Sequence, residues 1–161
     1  MKRVIRLSKP SGKSKELKIT TKHVITIDDI KRDPRKIKLL YILEETKGLT
    51  EKAIQYLIYY MKESGYDLGY SFVLLGNIPS SKELRNDLVA LLYVGVAETN
   101  PRRKIVITSL GKELLNKIKD SIPGEEKEQI KKLVEELRVK VAPIDTEVEL
   151  ATRPRRRRRR F

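Results

Sequence analysis

Between Pro79 and Gly95, Leu84, Leu88, Leu91 and Leu92 recur at intervals of three and four residues, the spacing that lines one face of an α-helix. Pro79 bars helix before this stretch, Ser80 and Glu83 have the spacing of a capping box, and Gly95 stops it. A helix over about 81–94 follows. With a single apolar stripe it cannot stand alone, so the chain must supply other faces to pack on it. Upstream, Ile37, Leu39, Leu40, Tyr41 and Leu43 predict a helix over about 35–47, entered at Pro34 and left at Gly48. Thr50 then caps a second helix from Glu51 to Ser64, where Ala53, Ile54, Leu57, Ile58 and Met61 form a wide apolar face stopped by Gly65. Tyr56, Tyr59 and Tyr60 interleave with that face, either as rim residues or as platforms for stacked bases.

Downstream, Val96–Thr99 and Lys104–Thr108 read as two strands joined through Asn100-Pro101-Arg102-Arg103. Thr108 or Ser109 caps a helix carrying Leu110, Leu114, Leu115 and Ile118. After Pro123-Gly124 a separate amphipathic helix is expected from Glu125 to Val141, with Ile130, Leu133, Val134, Leu137 and Val141 at helical spacing. It either closes the domain or forms half of a dimer interface. Pro143 to Leu150 is mildly acidic and reads as a linker or an edge strand. Phe72-Val73-Leu74-Leu75, between two glycines, fits a short buried strand or one to two helical turns, and Val24–Ile27 fits a short strand followed by a turn capped by Asp28.

Charge is distributed unevenly. Of a net +14, residues 1–36 contribute 12 basic and 4 acidic side chains, and residues 151–161 contribute seven arginines and no acid. Arg153, Arg155, Arg156, Arg157, Arg158, Arg159 and Arg160 make up this terminal run and are candidate nucleic-acid contacts. Like charges packed this densely repel and stay solvated until a polyanion neutralises them, and a nucleic-acid backbone is the polyanion that fits. The implied organisation is a basic arm with short strand segments over 1–33, a folded domain over 34–120, an amphipathic helix over 121–142, and a linker with the arginine tail over 143–161. No cysteine occurs and His23 is the lone imidazole, so disulfides, thiolate metal sites and cysteine nucleophiles are excluded, and neither a metal nor another cofactor is expected. No apolar run approaches the length of a membrane span and the first residues lack the apolar stretch of a secretion signal, so a soluble cytoplasmic protein, associated with nucleoid or ribosome, is expected. Much Lys, Glu, Ile and Leu, with two Gln and no Cys, is the composition of heat-adapted proteins. No catalytic triad, carboxylate pair or phosphate-cradling glycine loop is present, so an enzyme is not expected.

The helix over 81–94, the run Leu91 to Glu98, the basic hairpin tip and Ile105-Val106-Ile107-Thr108-Ser109-Leu110-Gly111-Lys112-Glu113-Leu114-Leu115 resemble the recognition helix, wing and following helix of winged helix-turn-helix proteins. Val106 to Leu115 is similar to the "LT-x-x-G-x-x-L-L" ending of microbial members. The resemblance covers about residues 36–120. It implies an α+β, mostly α fold with a two-stranded wing, and a helix lying in or over the major groove. It puts Ser80, Ser81, Lys82, Arg85 and Asn86 at the groove and Arg102, Arg103 and Lys104 against the phosphate backbone or minor groove. Glu83 and Asp87 on the same helix, and the long segment before it, depart from the family pattern. Three functions follow as expectations: a double-stranded DNA-binding regulator or chromatin-type protein, a ribosome-associated RNA-binding protein, or a winged-helix adaptor in a transcription, replication or repair assembly.

Overall fold

A computed structural model describes residues 25–151. The described chain forms six α-helices and two small antiparallel sheets. In chain order these are α1 (Ile27–Arg32), α2 (Pro34–Thr46), β1 (Leu49–Thr50), α3 (Glu51–Glu63), β2 (Val73–Leu75), β3 (Ile78–Ser80), α4 (Lys82–Tyr93), β4 (Ala97–Thr99), β5 (Lys104–Ile107), α5 (Ser109–Ile118), a 3₁₀ turn (Lys119–Ser121) and α6 (Gly124–Ala151). One sheet has the order β1-β5-β4; the other is the hairpin β2-β3.

The helix boundaries follow from local chemistry. Asp33 caps α2, accepting the Arg35 N–H with Pro34 in the first turn; Thr50 caps α3 through the Ala53 N–H; Thr108 caps α5 through the Gly111 N–H. Helix α2 is the centre of the molecule. Ile37, Leu39, Leu40, Tyr41, Ile42 and Leu43 are all buried, because α1, α4, α5, α6 and β5 all pack against it. A helix apolar on nearly every side must be enclosed in this way, and each buried Leu or Ile contributes about 1.5–3 kcal/mol.

Four expectations are corrected. The candidate strand at Val24–Ile27 is instead the entrance to α1: Thr26 is the N-cap and its N–H donates to the Asp29 carboxylate at 2.9 Å. Val24 lies outside the described residues. The cap of α4 is Ser81, one residue later than the Ser80/Glu83 spacing suggests, since Ser80 still belongs to β3. Phe72–Leu75 contributes a strand, but an exposed one. Its partner is reached through Gly76-Asn77, with φ of +56° and +71°, a two-residue turn of the type that matches strand twist.

The fourth correction is the largest. Helix α6 does not stop near Val141: it runs for 28 residues through Pro143 to Ala151, and the expected linker over 143–150 is its last two turns. A proline inside a helix removes the bond to the carbonyl four residues back, here Val139. Val139 and Pro143 both face outward, Val139 at 76% exposure, so the carbonyl left without a helical donor is on the solvent side of the helix. On the opposite side Ile130, Val134, Leu137, Val141 and Asp145 are buried, against α3 and α2. The stripe weighed as a dimer interface is thus occupied within the chain, and α6 closes the domain. No helix among the described residues is long and apolar enough to cross a membrane.

Candidate nucleic-acid interface

Of the two acidic residues of helix α4, Glu83 is exposed and Asp87 is turned into the core. Asp87 is buried, its side chain 7% exposed. Its Oδ2 accepts the Tyr70 hydroxyl at 2.7 Å and Arg35 Nε at 3.0 Å, and Lys36 Nζ stands 3.4 Å from Oδ1. Arg35 also lies over the Tyr70 ring at 4.6 Å and 3.7 Å from Glu83. Burial, and then the hydrogen bond to Asp87, push the Tyr70 phenol far above its ordinary value. This cluster ties the start of α2, the 66–72 loop and α4 together, and it orients α4 relative to the core. Of the two negative charges noted on this helix, Asp87 is an internal brace, while Glu83 remains at the surface with Arg35 3.7 Å away.

The sequence-derived residues then divide. Lys82 and Asn86 are exposed on α4. Arg85 is also exposed, but its Nε is held by Glu51 Oε1 at 2.9 Å. Ser81 drops out: it is 1% exposed, its Oγ accepts the Leu84 N–H, and its own N–H and carbonyl are both satisfied by the Gln55 amide. Ser80 is half-buried at the end of β3. Farther along the outward face of α4 come Val89 and Tyr93, 56% and 66% exposed.

The ribbon β4-β5 has the expected strands, paired Ala97↔Ile107, Glu98↔Val106 and Thr99↔Ile105. Its tip is a tight turn. The Arg103 N–H donates to the Asn100 carbonyl at 2.9 Å, and the Asn100 side chain accepts the N–H groups of Arg102 and Lys104. Pro101 suits the second position of such a turn, and Arg103 occupies the left-handed region at φ +62°.

The cations of the ribbon tip do not all face solvent. Lys104 Nζ is 3.0 Å from Asp145 Oδ2 and 3.9 Å from Glu149 Oε2, and Arg102 Nε is 3.7 Å from Glu149 Oε1. Asp145 Oδ1 accepts the Thr50 N–H at 2.7 Å, so one carboxylate bridges Thr50 and Lys104, which are register partners across β1 and β5. Asp145 and Glu149 were not singled out from sequence. The signal was present: Val134, Leu137, Val141, Asp145 and Val148 continue one helical spacing once Pro143 is allowed inside the helix. The expected contacts of the tail, Arg153, Arg155, Arg156, Arg157, Arg158, Arg159 and Arg160, all lie outside the described residues.

Electrostatically the body is balanced. Residues 25–151 hold 21 basic and 21 acidic side chains, while residues 1–24 hold eight basic and one acidic, and 152–161 hold seven basic and none. The whole +14 therefore belongs to the two ends. Among the described residues no group of His, Asp and Glu is arranged to hold a metal ion. Comparison with protein-family models, with curated proteins and with solved structures returns no match to this chain.

Proposed function

We propose that this protein binds nucleic acid, double-stranded DNA in preference to RNA, as a winged-helix regulator or chromatin-type protein whose neutral body positions its basic ends. The order helix, strand, helix, helix, ribbon, with the first strand beside the second ribbon strand, supports a winged helix-turn-helix, with the β2-β3 hairpin as an insertion between the second and third of these helices. Helix α4 would occupy the groove with Lys82, Asn86 and, once released from Glu51, Arg85. Asn pairs with an adenine edge, Arg with guanine, and Lys near a helix start suits phosphate. Val89, exposed on the same helix, would meet a thymine methyl. Arg103, at the wing tip, would meet the backbone.

The observation that carries the reading is where α6 ends. Glu149 reaches Arg102 at the wing, and the chain continues from Ala151 into seven arginines. Ten residues span at most about 35 Å. The last described residue, Ala151, follows two positions after Glu149, so the arginine run starts close in sequence to a residue at the ribbon tip and would be within reach of a duplex held by α4 and the ribbon.

The test is binding of duplex DNA and of structured RNA across a salt series. Deleting residues 152–161 should flatten the slope of log affinity against log salt by up to about six units, as seven phosphate contacts are lost. Asn86→Ala should cost about 1–3 kcal/mol on a preferred duplex and relax selectivity at one base pair. Equal affinity for all duplexes, unaffected by Asn86→Ala, would sink groove reading by α4.

One observation favours a second reading, an adaptor that docks on protein through this end of the molecule. Val73, Leu74, Leu75 and Ile78 on the β2-β3 hairpin are 42–63% exposed, and residues 68–81 carry no charge in a chain that is 36% charged. Under that reading Leu74→Ser and Leu75→Ser abolish retention of a protein partner while duplex binding is unchanged.

A further inference from the structure

We propose that the last two turns of α6 form an acidic strap across the wing, which neutralises Lys104 and Arg102 in the free protein and has to be displaced before these side chains can serve a phosphate backbone. The inference rests on the nucleic-acid reading and adds a competition inside the chain to it. The strap has two parts of different character. Asp145 is an anchor: its side chain is 7% exposed, and it holds a backbone N–H and an ammonium at once, at 2.7 and 3.0 Å. Glu149, one helical turn later, approaches Lys104 and Arg102 at 3.9 and 3.7 Å. Both separations are longer than a hydrogen bond; Glu149 is 18% exposed but Arg102 is 72% exposed, so the Arg102 pairing contributes little to stability.

A phosphate competes with Glu149 on favourable terms. Condensed counterions leave DNA when a cation binds, and this entropy is gained on phosphate and not on an internal carboxylate. The strap runs from Asp145 to Ala151, where the sequence continues into the arginine run, so a polyanion captured by that run would be brought close to the strap. Its carboxylates repel that polyanion until Glu149 gives way. Helix α6 thus lowers the affinity of the wing for any phosphate chain that only the tail has captured, and it favours ligands that engage α4, the wing and the tail together.

The experiment uses the full chain and a short DNA duplex of mixed sequence, with affinity read by fluorescence anisotropy over a salt series. Glu149→Gln removes the displaceable charge. Asp145→Asn keeps an oxygen for the Thr50 N–H while losing the charge beside Lys104. A thermal melt checks that each variant remains folded; if the Asp145 variant does not, Glu149→Gln alone carries the test. The expected result is tighter binding and a salt dependence steeper by up to about 1.8 units in the double variant, or about 0.9 in Glu149→Gln, as two or one new phosphate contacts form. Adding Arg102→Ala and Lys104→Ala should remove the gain. Wild-type binding that Glu149→Gln neither tightens nor steepens overturns the strap alone. Failure of wild type and variants to bind any duplex overturns the strap and the nucleic-acid reading together.

Discussion

Replacing Gly111 by alanine sets two known effects against each other, and the structure decides the winner. Alanine is favoured over glycine inside a helix by about 1 kcal/mol, so an isolated α5 would gain. In the folded protein a methyl group at this position would collide with the Val96 carbonyl oxygen and lie 2.6 Å from Ile107 Cγ1 and 3.0 Å from the Val96 carbonyl carbon. The oxygen cannot easily swing aside, because it accepts the Thr108 N–H at 3.0 Å. Overpacking costs about 1–3 kcal/mol, and a clash with backbone belongs at the upper end. The balance is a loss of about 2 kcal/mol, equivalent to a melting temperature lower by about 8 °C for a body of this size. Gly124→Ala is the control, since a methyl group there meets nothing within 4 Å. Thermal and urea melts followed by circular dichroism should show Gly111→Ala destabilised and Gly124→Ala neutral or slightly stabilised. A Gly111→Ala protein as stable as the parent would refute the claim that α5 lies against Val96 and Ile107, at the base of the β4-β5 ribbon, closely enough to exclude a side chain.

Three further outcomes follow from buried and half-buried polar groups. Asp87→Asn should cost about 2–4 kcal/mol in urea titration, because Arg35, Lys36 and Tyr70 lose a charged acceptor; the loss stays below the upper end for buried pairs since Glu83 and Asp33 remain near the two cations. A loss under about 0.5 kcal/mol would show that Asp87 does not brace α4. Glu126 is held below the usual carboxylate range, first by the Lys38 ammonium and also by the Tyr66 hydroxyl, against the opposing effect of burial. Its contribution is complete above about pH 4.3 and is lost as pH falls through the lower folded value, so Glu126→Gln should flatten the acid limb of the stability profile. Tyr70 has the opposite sign: with its phenol pushed upward, stability declines as pH rises beyond about 10, and Tyr70→Phe should make that alkaline decline shallower in melts across that range.

Side chains acting on their own backbone neighbours were readable in the sequence. Pro34 opens α2, Thr50 and Thr108 cap helices that begin within a residue of expectation, the leucine stripe marks α4, and Asn100-Pro101 marks the ribbon turn. These signals depend on contacts three or four residues apart, which the chain cannot avoid making. Tertiary structure decided the rest. Proline opposes helix at 143, yet Val141, Asp145 and Val148 gain enough by packing on α3 and the sheet to carry α6 through it. Asp87 lies on the same helix as Asn86, and only the positions of Arg35 and Tyr70, distant in sequence, turn it into the core. The partners of Lys104 and Arg102 come from some forty residues away, a separation at which charge pairing leaves no periodic trace. Local composition specified which segments are helix, strand and turn, and where the net charge lies. Which cations remain free for a ligand was decided only when the helices packed, because that depends on which carboxylates the fold brings beside them.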